Sequence, residues 1–198
     1  MRPDETYHLL RSLTSPVVAI TAERNGKRNG MISDSAVRAS IVPTFPRVSV
    51  YIHKFNFSHD MVFDTGRFVM HLLRNDQFEL IHRLGFESGR AREKLGDVPH
   101  HLGTLGVPVL DECYAHFECR VANVMDTGSS TCFLGDVVEV GYGKEDRATG
   151  IVMTAAYFRA NMPPAWRPEY EAQLRAAQRF AEERSRDIKP VIWRDPGR

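Results

Sequence analysis

The chain has 198 residues, with 26 Lys or Arg against 25 Asp or Glu, so its formal net charge is +1. This near-neutral balance gives no electrostatic argument for a nucleic-acid footprint or an anionic membrane surface. No stretch approaches the ~20 apolar residues of a membrane helix, and the N-terminus lacks the apolar core of a signal peptide. The sequence therefore predicts one globular domain of cytoplasmic location, without nucleic acid or membrane as a partner.

Cysteine and histidine usage points to no metal or disulfide framework. The cysteines are Cys113, Cys119 and Cys132, an odd number without a C-x-x-C pair. We interpret them as buried thiols in a reducing compartment. The eight histidines follow no H-E-x-x-H or other metal-ligand spacing, so no metal site is predicted.

In the first 40 residues the pattern predicts a helix and then a hairpin. Residues 5–13 can form a short helix, and residues 17–21 are apolar enough for a strand. Asn25-Gly26 is the strongest two-residue hairpin signal in the chain, because both positions tolerate positive φ. Residues 28–40 then form the return strand.

Between residues 48 and 60 a strand leads into a helix start that can bind an anion. Residues 48–52 form an apolar strand, and Ser58 is the candidate N-cap of the following helix, which Gly66 ends. N–H groups at a helix start point at a ligand, and the helix dipole favours negative charge there. Lys54 and Asn56 add a cation and an amide. An ordinary strand–turn–helix junction with a solvated lysine fits the same residues, so both interpretations stay open.

Residues 68–106 predict a strand, a helix and a long excursion. Residues 68–73 form the strand. Asn75 can cap the helix, in which apolar residues repeat at helical spacing, at Phe78, Ile81 and Leu84. Residues 86–106 are polar and predict at most a short helix at residues 91–95. A structureless excursion of this length is usually functional or part of an interface.

The second half predicts a long antiparallel hairpin. Apolar and polar residues alternate over residues 115–121, which is typical of a half-buried strand with Glu118 on the polar face. A turn at residues 126–128 leads to a partner strand over residues 132–142. Residues 152–154 form a short last strand.

After Pro163-Pro164 the composition changes, and the pattern over residues 169–184 predicts a helix. The tail carries four apolar residues, Ile188, Val191, Ile192 and Trp193. We therefore expect residues 1–160 to form the main domain, and residues 161–198 to pack on it or on a partner subunit. In total the pattern predicts a mainly β chain with helical additions (α+β), in which six or seven antiparallel strands form a barrel.

Motifs of several enzyme classes are missing. No G-x-G-x-x-G follows a strand, and there is no phosphate loop or G-x-S-x-G elbow. The Asp-Thr-Gly triplets at Asp64 and Asp126 look like the catalytic loops of aspartic proteases, which need two carboxylates sharing one proton. One triplet ends a predicted helix and the other lies at a hairpin turn. Two equivalent lobes would also require an internal repeat, which the sequence lacks, so the protease interpretation is disfavoured.

Several segments resemble, in order and spacing, the flavin reductase-like family, the FMN-binding split barrels. The resemblance covers about residues 15–157, and its pieces include Ser15-Pro16-Val17-Val18-Ala19-Ile20-Thr21, Asn29-Gly30-Met31, Gly66-Arg67-Phe68-Val69-Met70, Lys94-Leu95 and Phe133-Leu134-Gly135-Asp136-Val137. It implies an antiparallel split β-barrel with peripheral helices. It also implies a homodimer that binds flavin near the subunit interface.

The resemblance also implies which residues hold the flavin. In the family, the strand after Asn29-Gly30 lines the flavin ring and ribityl chain. The resemblance therefore assigns to the flavin site Met31, Ile32, Ser33, Asp34, Ser35 and Ser40. The next loop holds the phosphate, which assigns Lys54, Asn56, Ser58 and His59. His59 and Arg159 are candidates for contacting the nicotinamide nucleotide. No side chain is assigned as catalytic, because the cofactor carries the chemistry.

The sequence departs from the family pattern at several places, including Phe55 where the phosphate loop usually has Ser and Ser130 where many members have His. Family members usually have Thr-Ala-Ser-Ser where this chain has Ile32-Ser33-Asp34-Ser35, so a carboxylate appears and a hydroxyl is lost. The family's Arg-Gly-Arg-Tyr-like stretch, commonly near the nicotinamide, is here Tyr157-Phe158-Arg159-Ala160-Asn161.

Three functions follow as hypotheses. The first is an FMN-dependent NAD(P)H oxidoreductase of flavin reductase type, with FAD as the other candidate cofactor, NADH or NADPH as co-substrate, and a monooxygenase as a candidate partner. The second is a flavin-binding electron carrier or substrate-specific flavoprotein without its own NAD(P)H site. The third is a split barrel that has lost flavin and acts only as a binding protein.

Overall fold

The computed structural model describes residues 10, 12–13, 15–143, 150–184, 187 and 190–194. The helix expected over residues 5–13 falls largely outside these residues. Nine strands are present in the described ranges: β1 (Val18–Arg24), β2 (Lys27–Ser33), β3 (Ala36–Arg38), β4 (Arg47–His53), β5 (Arg67–Leu72), β6 (His100–Leu102), β7 (Pro108–Leu110), β8 (Ala115–Asp126) and β9 (Ser130–Tyr142).

Seven of these strands form one antiparallel sheet in the order β2-β1-β5-β8-β9-β4-β3. The edge strands β2 and β3 are separated along the chain by only Asp34 and Ser35. Because two edges joined by two residues must lie close together, the sheet curls on itself. This confirms the predicted antiparallel split β-barrel. The expectation of one strand over residues 28–40 is wrong, because the chain changes partners at Asp34 and β3 pairs with β4.

Helices lie at the periphery of the barrel, as expected. They are α1 (Phe57–Thr65), α2 (Phe78–Gly85), α3 (Ala155–Asn161), a 3₁₀ turn (Pro164–Trp166) and α4 (Arg167–Glu183). No helix in the described part of the chain is long and apolar enough to cross a membrane. One core fills the barrel, and a second lies between the sheet and α2 and α3. Strand β1 contributes to both, because Val18 and Ile20 face one core and Ala19 faces the other.

The predicted turns are confirmed, whereas two predicted N-caps are wrong. Asn25 and Gly26 have positive φ in the β1–β2 hairpin, and Gly66 ends α1 in the left-handed conformation. Asn56, not Ser58, is the N-cap position of α1, because the side chain of Ser58 is buried inside the first turn. Gln77, not Asn75, holds that position in α2, because the chain first turns at residues 74–77.

The excursion over residues 86–106, for which the pattern predicts at most a short helix at residues 91–95, has turns and bends there and no helix. It ends instead in the β6–β7 hairpin, which packs beside β1 and β5. The hairpin also covers the polar face of β8, so that Glu118 is buried, with 2% of its surface exposed. The predicted strand over residues 152–154 is reduced to two isolated bridges, Pro16–Thr154 and Arg74–Val152.

Glu118 anchors the hairpin by accepting three hydrogen bonds, from Thr104 N–H, the Thr104 hydroxyl and Leu105 N–H, at 2.9–3.1 Å. We expect Glu118→Gln to lower the free energy of unfolding by about 2 kcal/mol, because an amide NH₂ would then face backbone donors. Urea unfolding measures this change. The control is Glu139→Gln at the exposed position opposite Glu118 on β9, which should cost under about 0.5 kcal/mol. Equal losses would contradict the anchoring role.

Candidate functional site

Two cavities meet where the end of β2 passes beside the end of α2. The first, of about 240 Å³, reaches toward the start of α1 and the loop after α2, and we call it the polar cavity. The second, of about 320 Å³, reaches toward α3 and α4, and we call it the apolar cavity. Their shared walls are Ile32, Gly85, Phe86 and Gln173. Together they form one cleft, of a size typical for small-molecule sites.

The start of α1 supplies the floor of the polar cavity. Asn56, Phe57 and Ser58 line it. The side chain of the N-cap residue Asn56 makes no cap hydrogen bond. His59 N–H donates to the Asn56 carbonyl oxygen, which leaves the N–H groups of Phe57 and Ser58 for solvent or a ligand. Ser58 is held in place by Asn29, whose amide donates a hydrogen bond to the hydroxyl oxygen at 2.7 Å. The helix start therefore presents polar donors to the cavity in a fixed position.

Two cations from the loop after α2 line the same cavity. The ammonium of Lys94 is buried and donates to the carbonyl oxygens of Leu84 at 2.7 Å and Glu87 at 3.0 Å. An ammonium has three donors, so its third is left for a ligand. Burial lowers the pKa of Lys94 to about 8. Arg90 donates to the carbonyl oxygen of Phe55 at 2.8 Å, with half of its side chain exposed.

Two glycines let α2 and the loop after it approach β2 closely. A side chain at Gly89 would collide with the amide of Asn29. A Cβ at Gly30 would lie 3.0 Å from the nearest methyl carbon of Leu84. The absence of side chains at these positions therefore brings Arg90 next to α1.

The apolar cavity is walled by aliphatic and aromatic side chains, namely Val17, Ile32, Ile81, Phe86, Phe158, Tyr170 and Leu174. Its charged lining residues are Asp34 and Arg159, whose carboxylate and guanidinium lie 3.8 Å apart. Helix α4 is held over it by Gln173, which donates to the carbonyl oxygen of Phe86 at 2.7 Å. The cavity therefore suits a flat apolar group that has a polar edge.

The structure brings several predicted site residues into the cleft. Met31, Asn56 and Ser58 line the polar cavity, and Ile32 lies between the two cavities. Asp34 and Arg159, predicted from separate parts of the sequence, meet in the apolar cavity.

Five predicted residues lie outside the cleft. Lys54 pairs with Asp126 at 2.8 Å. His59 points into the core, with Nε2 2.9 Å from the Thr131 hydroxyl. The remaining three make local contacts: Ser33 donates to the Tyr51 carbonyl, Ser35 N–H donates to Ser33, and Ser40 accepts from Val42 N–H.

The pairing of Lys54 has a clear electrostatic cause. Asp126 accepts from the Lys54 ammonium and from the backbone N–H groups of Gly128 and Val191. These hydrogen bonds lower the pKa of the carboxyl group to about 2. The carboxylate is therefore charged at neutral pH and holds Lys54 toward the β8–β9 turn, whereas Asn56 and Ser58 face the cleft.

The sequence-based site assignment missed Arg90, Lys94 and Gln173. The length of the excursion over residues 86–106 predicted a functional role for that segment, but no residue in it was assigned to a site. Gln173 lies on α4, where the helical pattern indicated only packing. The glycines at positions 85 and 89, followed by the charged residues Arg90, Arg92, Glu93 and Lys94, are the signal in the sequence that could have identified this loop.

The thiols do not offer nucleophiles. All three cysteines are free and buried, as predicted. Burial raises the pKa of Cys113 to about 12 and also raises those of Cys119 and Cys132. A thiol is a poor nucleophile without its thiolate. In the described part of the chain, no group of three or more His, Cys, Asp or Glu residues could hold a metal ion.

The fold and the cleft define a split-barrel protein with a cleft that is lined by cations at one end and by apolar side chains at the other. The family model described as "Flavin reductase like domain" matches residues 10–165. The chain therefore belongs to this family.

Similar proteins include flavoproteins and reductases. The high molecular weight rubredoxin of Moorella thermoacetica is 29% identical over 151 residues, or 75% of this chain and 63% of that protein. This chain thus spans less than two thirds of the Moorella protein. The FMN reductase (NADH) of Agrobacterium fabrum is 30% identical, over 69% of this chain and 75% of that protein. The FMN-binding protein from Thermus thermophilus with bound p-hydroxybenzaldehyde aligns with a TM-score of 0.60 and 29% identity, over 65% of this chain and 72% of that one.

Proposed function

We propose that this protein binds a flavin nucleotide in the cleft and reduces it with NADH or NADPH, as a flavin reductase. The division of the cleft is the observation that carries the proposal. Cations and a helix start lie at one end, and apolar and aromatic walls lie at the other. A flavin nucleotide has the same division, with an anionic phosphate at one end and a flat ring at the other. Family membership supports the same function.

The residues present fit this cofactor. Asn56, Ser58, Arg90 and Lys94 would hold the phosphate, because charge-assisted hydrogen bonds from several donors suit a dianion. Ile32 and Phe86 would contact the ring where the two cavities meet. When bound, the flavin supplies the hydride-accepting ring, so the reaction needs no side-chain acid or base.

The apolar cavity would set the surroundings of the reacting ring. Arg159 pairs with Asp34, which offsets a negative charge that would otherwise disfavour an anionic reduced flavin. Helix α4 covers the cavity through Tyr170 and Leu174 and would exclude water from it. In this proposal Arg159 contacts the nicotinamide nucleotide from the open side. The roles of Ser33, Ser35, Ser40, Lys54 and His59 toward flavin stay predictions.

A flavin titration, followed by reduction of the bound flavin, tests the proposal. Flavin fluorescence should be quenched on adding the protein, and saturating FMN should raise the melting temperature. Anaerobic NADH or NADPH should then bleach the absorbance of the bound flavin. Flavin that neither binds nor stabilises the protein would overturn the proposal and leave the non-catalytic binding protein.

The electron-carrier hypothesis is the second candidate, favoured by the engagement of Arg159 with Asp34 beneath α4. In that case the nicotinamide would lack a cation of its own. The same experiment separates the two functions. Bound flavin that resists both nicotinamide nucleotides but is bleached by dithionite would establish the carrier.

Arg90 should distinguish FMN from riboflavin, because only FMN has the phosphate. We expect Arg90→Ala to weaken FMN binding about 10–30-fold, which is typical of a lost charged hydrogen bond. Riboflavin binding should change less than about twofold. The comparison variant is Lys54→Ala, since Lys54 lies outside the cleft and pairs with Asp126. If Lys54→Ala weakens FMN binding more than riboflavin binding, and Arg90→Ala weakens both equally, the phosphate lies on the Lys54 side of α1.

Homodimer formation and cytoplasmic location belong to the same proposal. Beside a cavity of about 620 Å³, the outer face of the barrel exposes the apolar residues Val37, Ile41, Val42 and Val140. A second subunit is the occupant that this face suits, because large exposed apolar patches mark interaction surfaces. A monomeric mass in light scattering would contradict the dimer. The three free thiols support a reducing compartment.

A further inference from the structure

We propose that a second anion subsite adjoins the polar cavity and takes the diphosphate of FAD, so that this protein prefers FAD to FMN. The inference rests on the proposed function, because it requires a flavin in the cleft. The subsite is a separate cavity of about 480 Å³. Four cations line it, Lys27, Arg28, Arg90 and Arg92, against the single carboxylate of Glu93.

The cations are concentrated at the start of α1. The ammonium of Lys27 lies 4.6 Å from the ring centroid of Phe57, and the guanidinium of Arg90 lies 5.4 Å from the same centroid. Phe57 is the first residue of α1. Two like charges on one ring repel each other, and the helix dipole adds positive potential there. An anion between them would relieve this repulsion.

Neighbouring carboxylates compensate only half of these charges. Arg92 pairs with Glu87 at 3.0 Å, and Arg90 lies 3.5 Å from Asp60. Among the described residues, no carboxylate forms an ion pair with Lys27 or Arg28. Arg28 contacts the Nε2 atom of His100 at 3.4 Å instead. Two cations on the β1–β2 hairpin therefore remain available to a ligand.

The position of the subsite selects a diphosphate. Gly89 and Arg90 line both this cavity and the polar cavity, so the two are neighbours at the phosphate end of the cleft. A flavin with one phosphate would occupy the polar cavity and leave Lys27 and Arg28 unused. The second phosphate of FAD would extend toward them. Nicotinamide dinucleotides contain the same diphosphate, but their reacting ring must reach the apolar cavity at the opposite end.

Fluorescence titrations with FMN and FAD test the inference. The wild-type protein should bind FAD about tenfold more tightly than FMN, which corresponds to one additional charged contact. The double variant Lys27→Ala/Arg28→Ala should lose this preference, while its FMN affinity changes less than about twofold. The matched control is Arg175→Ala/Arg179→Ala, which removes two exposed cations of α4. It should keep the preference for FAD.

The outcomes separate this inference from the proposed function. FMN binding without a preference for FAD overturns the inference alone, as does a preference that survives loss of Lys27 and Arg28. Binding of neither flavin overturns both. ADP-ribose titrated into FMN-saturated protein tests the other source of a diphosphate. The subsite would belong to the nicotinamide nucleotide if ADP-ribose binds tightly, the double variant abolishes this binding, and the wild-type protein shows no preference for FAD.

Discussion

Replacing Lys94 by methionine is expected to weaken FMN binding about 30–100-fold at neutral pH, with a much smaller effect on riboflavin. Lys94 is the buried cation of the polar cavity, and a buried charge acts on a phosphate with little screening by water. Its ammonium is also fixed by the carbonyl oxygens of Leu84 and Glu87, so a ligand need not order it. Isothermal titration with both ligands measures the difference.

The pH dependence gives a second readout that does not depend on a variant. The free protein loses the Lys94 proton near pH 8, because burial lowers this pKa. A bound phosphate favours the protonated form and raises the pKa. FMN affinity should therefore be nearly constant between about pH 7 and pH 7.5 and fall as the pH rises through 8 to 9. The FMN phosphate is already doubly ionised over this range.

Variants assign this pH dependence to Lys94. In Lys94→Met the fall should disappear, whereas Lys54→Met should retain it, because Lys54 lies outside the cleft. Circular dichroism confirms that each variant is folded. An FMN affinity of the wild-type protein that stays constant to pH 9.5 would remove Lys94 from the phosphate site.

The candidate site was predictable from the sequence only where it is local. Asn56 and Ser58 lie on one short strand–loop–helix junction, and its composition alone indicated an anion site. Lys54 belongs to the same junction, yet Asp126 holds it, 72 positions further along the chain. Arg90 and Lys94 reach the site because Gly89 allows the loop to pack on Asn29. Such long-range contacts leave no periodic signal in the sequence.

The fold was easier to predict from the sequence than the site, because the alternation of apolar residues in strands and the residues of turns are local signals. The Asn25-Gly26 turn and the two long strands β8 and β9 lie where the pattern predicts them. The pattern fails at Glu118, because a hairpin from another part of the chain buries the polar face of β8. It also fails at Asp34 and Ser35, where barrel closure breaks an apparently continuous strand. Both failures come from tertiary packing.

A second large effect is expected at His71, which should make the protein sensitive to acid. His71 is fully buried on β5. Its Nε2 atom accepts from Leu110 N–H at 3.0 Å, so the ring proton lies on Nδ1, which faces the Ala19 carbonyl oxygen at 3.2 Å. The neutral ring therefore satisfies both backbone groups. Burial is the main cause that lowers the pKa of His71 to about 3.

The sign of the effect follows from proton uptake. Below pH 6.5 the unfolded chain binds a proton at His71, whereas the folded protein does so only near pH 3. The free energy of unfolding should therefore fall by about 1.4 kcal/mol per pH unit from this residue between pH 6 and pH 4. Burial also lowers the pKa values of His53, His59 and His116, which add to the slope.

Urea unfolding at pH 7, 5.5 and 4 isolates the contribution of His71. The variant His71→Gln can still donate to Ala19 and accept from Leu110 but binds no proton. At pH 7 this variant should be less stable than the wild type. On acidification its free energy of unfolding should fall by about 1.4 kcal/mol less per pH unit, because the variant lacks one proton-binding group. The control is Asn123→Gln, an exchange of one exposed amide for another that leaves every titrating group in place, so its slope should match that of the wild type. If His71→Gln keeps the full slope, the acid sensitivity arises elsewhere.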